Sequence, residues 1–178
     1  GCYVRHNLLL TRGQPWGSFL AARSNAASAY LQHAAQEREW ARRRHGSFSI
    51  FMSSATDPFP PQEHRLGVTR QVLEAMYREP PDALIVQTHS PRVVDRIDEL
   101  HRLAARCSLR IHLSIESDRD RLPGLPPPAA SVADRFAAAA TLHSAGLHVV
   151  ITCAPLLPIA DPDGFFTRVA GCANAGVL

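Results

Sequence analysis

Four short clusters of polar residues in this chain have the types and spacing to hold a small polar molecule. They are Ser53, Ser54, Thr56 and Asp57; then Gln87, Thr88, His89 and Ser90; then Ser114, Glu116 and Ser117; and last Thr152, followed by Ala154 and Pro155. Each cluster follows a short apolar run. Hydroxyl and carboxylate groups supply directional hydrogen bonds, so four such clusters on one rim would suit a molecule with an amino acid part and a ribose. Ser, Thr and Asp also cap helices and turn the chain after strands, so for any one of these residues a structural role is the alternative.

Several other chemistries have no motif here. The chain contains no Walker pattern and no G-x-G-x-x-G after a strand, which removes kinases and the common dinucleotide-binding enzymes. It has no G-x-S-x-G elbow and no H-x-x-x-H pair that would put two zinc ligands on one helix face. The four cysteines, Cys2, Cys107, Cys153 and Cys172, are too widely spaced to form a complete metal motif. Cys107, Cys153 and Cys172 read as small buried hydrophobes.

The elements that must position these clusters repeat in one order. Ala22 to Arg44 lacks proline and glycine and predicts a long helix, with Arg42, Arg43 and Arg44 suiting the negative end of its dipole and Gly46 breaking it. Phe48 to Met52 predicts a buried strand, followed by a proline-rich loop to Gln62 and a helix over Val68 to Arg78. Ala83 to Val86 and Val93 to Ala105 repeat the strand and helix. Leu109 to Ile115 is a third strand whose brief alternation leaves an edge position open. A proline-dense loop from Asp120 to Pro128 precedes a helix capped by Ser131, with Asp134 completing an approximate capping box and Gly146 marking the end. Val149 to Cys153 is the fourth strand, Pro162 to Ala173 a last helix, and Val177-Leu178 could open a further strand. Repeated β-α-β units predict a parallel sheet, in a barrel or a doubly wound form, with function gathered at the strands' carboxyl ends.

Length and composition bound the rest. At 178 residues and 46% hydrophobic content, residues 1–178 are expected to form a single domain. The net charge of +3 rests on 19 basic residues, all arginine, and no basic stripe with interleaved aromatics points to nucleic acid. No apolar run is long enough to cross a membrane, and no leader is visible, so a cytoplasmic protein is the expectation.

Thr56-Asp57-Pro58-Phe59, continuing to Glu63, Arg65, Thr69 and Arg70, resembles the segment after the second strand in radical S-adenosylmethionine proteins of the spore photoproduct lyase-like group. Thr88-His89-Ser90-Pro91 with Asp98 resembles the family's third strand end, where a lysine is common in place of His89. Ser114-Ile115-Glu116, the helix from Arg135 to Gly146, and Ala154-Pro155-Leu156-Leu157-Pro158 with Asp161 follow in the family's order, so the resemblance spans nearly the whole chain. Cys2-Tyr3-Val4-Arg5 looks like the last cysteine of a C-x3-C-x2-C motif, the other two cysteines being expected before Gly1.

The resemblance implies a partial parallel (β/α) barrel lacking its first strand, incomplete at both ends. It implies a [4Fe-4S] cluster with Cys2 as one thiolate ligand, since thiolates are soft, charged donors. It also implies reductive cleavage of S-adenosylmethionine to a 5′-deoxyadenosyl radical, with an external electron donor and an unknown substrate, for which the group suggests DNA repair. Ser54, Thr56 and Asp57 would lie near the methionine amino group, Thr88 and Ser90 at the neighbouring strand end, Ser114 and Glu116 near the ribose, and Ala154, Pro155 and Leu156 beside the adenine. Gly1 stands where the family has an aromatic residue, and Leu122-Pro123-Gly124-Leu125-Pro126 replaces a Glu-Pro-Arg-like stretch. The alternatives are a silent barrel binding a nucleoside-like ligand or a protein partner, and a non-redox barrel enzyme acting on a phosphorylated metabolite.

Overall fold

A computed structural model of the chain describes residues 6–15, 17–52 and 56–177. After a short helix α1 (Leu8–Thr11) come α2 (Ala26–His45), β1 (Ser49–Met52), α3 (Glu63–Leu66), α4 (Val68–Arg78) and β2 (Ala83–Thr88). A 3-10 segment (Pro91–Arg96) leads into α5 (Ile97–Ala104), followed by β3 (Ser108–Ser114), α6 (Val132–Ser144), β4 (Val149–Thr152), α7 (Pro162–Cys172) and β5 (Ala175–Val177). The fold is α/β, with one five-stranded sheet.

All the strands pair in parallel, and their spatial order is their sequence order, β1-β2-β3-β4-β5. That order lacks the reversal that defines a doubly wound sheet. With every crossover proceeding in the same direction, the helices fall on one side. Accordingly α2 packs on α4, α4 on α5, and α6 on α7, in a single layer. β3, which the sequence left open as an edge strand, is paired on both sides and lies at the centre.

Its alternation has a different cause: among the described residues, the layer of α2 and α4 to α7 lies against one face of the sheet. On the helical side Leu84, Val86, Leu109, Ile111 and Leu113 join Leu73, Met76, Leu100, Leu103, Phe136 and Leu142 in one core. On the other side, register brings together Phe51, Ile85 and Arg110 in one row and Gln87, His112 and Val150 in the next. Phe51 is 49% exposed there, although Val150 and Thr152 on the same face are buried.

Local chemistry sets the element ends. Gly46 takes φ 79° and donates its N–H to the Arg42 carbonyl, closing α2 in the left-handed conformation that glycine adopts without strain. The helix begins at Ala26, four residues later than expected. Arg42 does more than answer the helix dipole, because its guanidinium pairs with Asp82, which also accepts the Phe48 N–H at 2.7 Å. That carboxylate ties α2 and the start of β1 to the turn before β2, and the Arg42 and Phe48 hydrogen bonds hold its pKa down to about 2. Ser131 caps α6 by accepting the Asp134 N–H at 3.0 Å, while Asp120 takes the Val132 N–H at 2.6 Å. The helix expected to start at Val93 opens instead with the 3-10 segment: Ser90 caps it and Pro91 follows directly, leaving the α-helix to begin at Ile97. A short helix, α3, precedes α4 across Gly67.

Candidate functional site

The carboxyl ends of β1 to β4 are joined by a continuous line of hydrogen bonds. Asp57, after β1, accepts the Thr88 hydroxyl at 2.7 Å and the His89 N–H at 2.8 Å, both from the end of β2. His89 then reaches the end of β3, its Nε2 lying 2.7 Å from Glu116 Oε1. The Glu116 carbonyl in turn accepts the Leu157 N–H at 2.9 Å, from the loop after β4. Asp118 fastens that same loop by accepting the N–H groups of Ala160 and Asp161, which hold its carboxyl below the usual range.

Glu116 is the electrostatic centre of this rim. Its side chain is 15% exposed, with Oε1 facing His89 and Oε2 accepting from Arg135 Nη1 at 3.0 Å. Burial by itself would raise its pKa, but the hydrogen bonds and charges of His89 and Arg135 together outweigh burial and leave it lowered. Arg135 is brought here by α6, where it is 4% exposed and also donates to the Ser114 carbonyl at 2.7 Å. The His89 ring remains 56% exposed. The arrangement therefore presents an oriented imidazole at the rim, backed by a carboxylate and a buried guanidinium.

The site residues expected from sequence fall into distinct settings. Thr88 faces the helical side, where its hydroxyl is buried between Asp57, to which it donates, and the Ser90 N–H, which it accepts. Ser90 caps the 3-10 segment by accepting the Arg92 N–H at 3.3 Å. Both hydroxyls are thus engaged in shaping the rim. Ser114 lies on the open face, where its Oγ accepts from Gln87 Nε2 at 3.2 Å, with Thr152 beside it in register. Thr56 is exposed next to Asp57, and Ala154, Pro155 and Leu156 are exposed after β4. Cys2 and Ser54 lie outside the described residues.

Two residues of the site escaped the sequence argument, Arg135 and His112. His112 stands in the row beside Gln87, its Nδ1 3.4 Å from the Thr152 hydroxyl and its Nε2 buried without a partner. Burial, and then the charges of Arg110 and His148, lower its pKa, so the ring is neutral near pH 7. The alternation of Arg110, His112 and Ser114 against Leu109, Ile111 and Leu113 was the signal that could have placed it. A cleft of about 300 Å³ lies on the open face at the other end of the strands, against Ser49, Phe51, Ile85 and Arg110, away from the linked rim.

Cys153 and Cys172 are buried and Cys107 half-buried, and burial pushes all three thiols up, away from the thiolate form that binds metal. Among the described residues no three His, Cys, Asp or Glu side chains gather to hold a metal ion. Among the described residues no helix is long and apolar enough to cross a membrane. No protein-family model matches the chain, and no curated protein matches it.

Proposed function

We propose that this chain is the core of a radical S-adenosylmethionine enzyme, a partial β/α barrel of the spore photoproduct lyase-like group, with its cofactor at the carboxyl ends of the strands. The observation that carries this reading is the linked rim, in which Asp57, His89, Glu116 and Leu157 connect four successive strand ends. Sequential strand order with helices on one side is the arrangement of a β/α barrel, and barrel chemistry sits at that end.

The donor set fits the organic cofactor. Carboxylate oxygens carry two lone pairs each, so Glu116 can accept a ribose hydroxyl beside its present partners, and Asp57 an ammonium group. Ser114 on the open face adds a hydroxyl, and the exposed backbone of Ala154 to Leu156 offers an edge for a base. The iron-sulfur cluster would be held by Cys2 with two thiolates expected upstream of Gly1. When bound, the cluster and cofactor supply an electron and reductive cleavage of the sulfonium bond. The chain's own residues bind and orient: Asp57 fixes the His89 backbone, Arg135 keeps Glu116 ionised, and Asp118 holds the loop after β4 against β3.

The test is anaerobic iron-sulfur reconstitution of the protein including residues before Gly1, followed by product analysis under reductant. A [4Fe-4S] spectrum and 5′-deoxyadenosine are expected, both lost in Cys2→Ala. Glu116→Gln should keep the spectrum and weaken cofactor binding by about tenfold, the effect of one charge-assisted hydrogen bond. A protein that binds no iron and forms no 5′-deoxyadenosine overturns the proposal; cofactor binding without iron would instead favour a silent nucleoside-binding barrel.

A further inference from the structure

The cleft at the amino ends of β1, β2 and β3 lies on the sheet face opposite the helices and measures about 300 Å³. Register lays out its floor in two rows. Ser49, Ala83 and Ser108 pair across the first, and Phe51, Ile85 and Arg110 across the second. The floor is therefore divided by strand. β1 and β2 supply the apolar Phe51, Ala83 and Ile85, while β3 supplies Ser108 and Arg110, which alternate with Leu109 and so share one face.

The polar half of this floor is unspent. Arg110 is exposed, and no other described residue lining the cleft carries a charge. Among the described residues its guanidinium has no carboxylate or hydrogen-bond partner, and the Ser108 hydroxyl has none either. Asp82, directly before Ala83, is engaged by Arg42 and the Phe48 N–H. The titratable neighbours of Arg110 on this face are imidazoles: the Ile111 N–H donates to the His148 carbonyl, which seats His148 beside Arg110, and His112 follows along β3. A reachable guanidinium in a concave site without a carboxylate attracts an anion. The apolar half adds a half-exposed Phe51 and a partly buried Ile85, a surface on which a flat ring packs well.

We propose that this cleft binds an aromatic monocarboxylate of two fused rings, its carboxylate on Arg110 and Ser108 and its rings across Ala83, Ile85 and Phe51. Charge selects the monoanion, because the single guanidinium of the lining balances one negative charge and leaves a phosphate dianion half matched. Size selects two rings: 300 Å³ is about twice a cavity known to hold benzene. The reach agrees, since β1 to β3 is two strand spacings, about 10 Å, the length of such a molecule with its carboxylate. Arg110 stands four residues before Ser114, about 13 Å down β3 from the rim, so the site is separate from the radical chemistry proposed above and needs neither iron nor S-adenosylmethionine.

Titration calorimetry of the 178-residue chain with 2-naphthoate, at a concentration where sedimentation shows a monomer, tests it directly. Saturable binding is expected, with a Kd of about 0.1–1 mM for a ligand of this size. Arg110→Gln should weaken it about tenfold, the effect of one charge-assisted hydrogen bond, with an unchanged circular dichroism spectrum because the side chain is exposed. 2-Naphthalenemethanol, which keeps the rings and lacks the charge, should bind weaker by about the same factor, and 2-naphthyl phosphate should bind no tighter than the carboxylate. Phe51→Ser should weaken 2-naphthoate severalfold through the lost ring contact, which keeps the test valid if Arg110→Gln unfolds the chain. An absence of saturable binding, full affinity in folded Arg110→Gln or in Phe51→Ser, equal binding of the alcohol, or tighter binding of the phosphate overturns the proposal.

Discussion

Arg135 carries a permanent charge in a place almost closed to water, and Glu116 is what makes that tenable. Removing one partner of a buried pair strands the other, so Glu116→Ala should lower stability by about 3–5 kcal/mol, read from urea denaturation at pH 7. The pH dependence has a definite sign. Glu116 is lowered in the folded chain, so it stays ionised to a lower pH than an unfolded glutamate, whose pKa is about 4.3. Its stabilisation is complete above that value and is lost as pH falls through the lower folded one. The gap in unfolding free energy between the parent chain and Glu116→Gln should therefore narrow from pH 5 to pH 3. Asp82, held to about 2, contributes a second acid-labile interaction that Glu116→Gln leaves intact. At this scale the types and positions of Asp57, Ser114 and Glu116 were enough to put them at or just beyond strand ends. The sequence did not reveal that Thr88 and Ser90 spend their hydroxyls on the chain itself, because local capping and ligand binding call for the same residues.

Among the elements, α6 depends on polar groups that satisfy its first N–H donors, and it delivers Arg135 to the rim. Ser131→Ala removes the cap on the Asp134 N–H and should cost about 1 kcal/mol, measured as a lowered thermal midpoint. Leu142 on the same helix is fully buried, and Leu142→Ala should cost about 2–5 kcal/mol through the cavity it leaves. The bounds of α4, Val68–Arg78, were legible because an amphipathic stripe between Gly67 and Pro80 has one interpretation. The 3-10 segment at Pro91–Arg96 was not, since its apolar spacing matches a helical face equally well. The difference lies in how Ser90 and Pro91 start the turn and in how the segment packs on α6, a contact from later in the chain.

Among the described residues the helices cover one sheet face, and β1 pairs on one side only, with β2. An exposed apolar residue near an unpaired strand edge favours association between chains. Phe51, half exposed on the open face, is the leading candidate. Phe51→Ser should raise the concentration at which the 178-residue chain remains monomeric in sedimentation, with little change in thermal midpoint.

The sequence by itself determined the order of strands and helices, the parallel pairing that such an order requires, and the polar clusters at strand ends, because periodicity and turn chemistry are local. Only the tertiary structure decided that the sheet runs in sequence order with its helices on one side, that β3 is central, and that Arg135 on α6 meets Glu116 after β3. Those outcomes depend on contacts between residues far apart in the chain. Strand order and a buried ion pair are set by which surfaces exclude water together, and no local stretch of sequence records that choice.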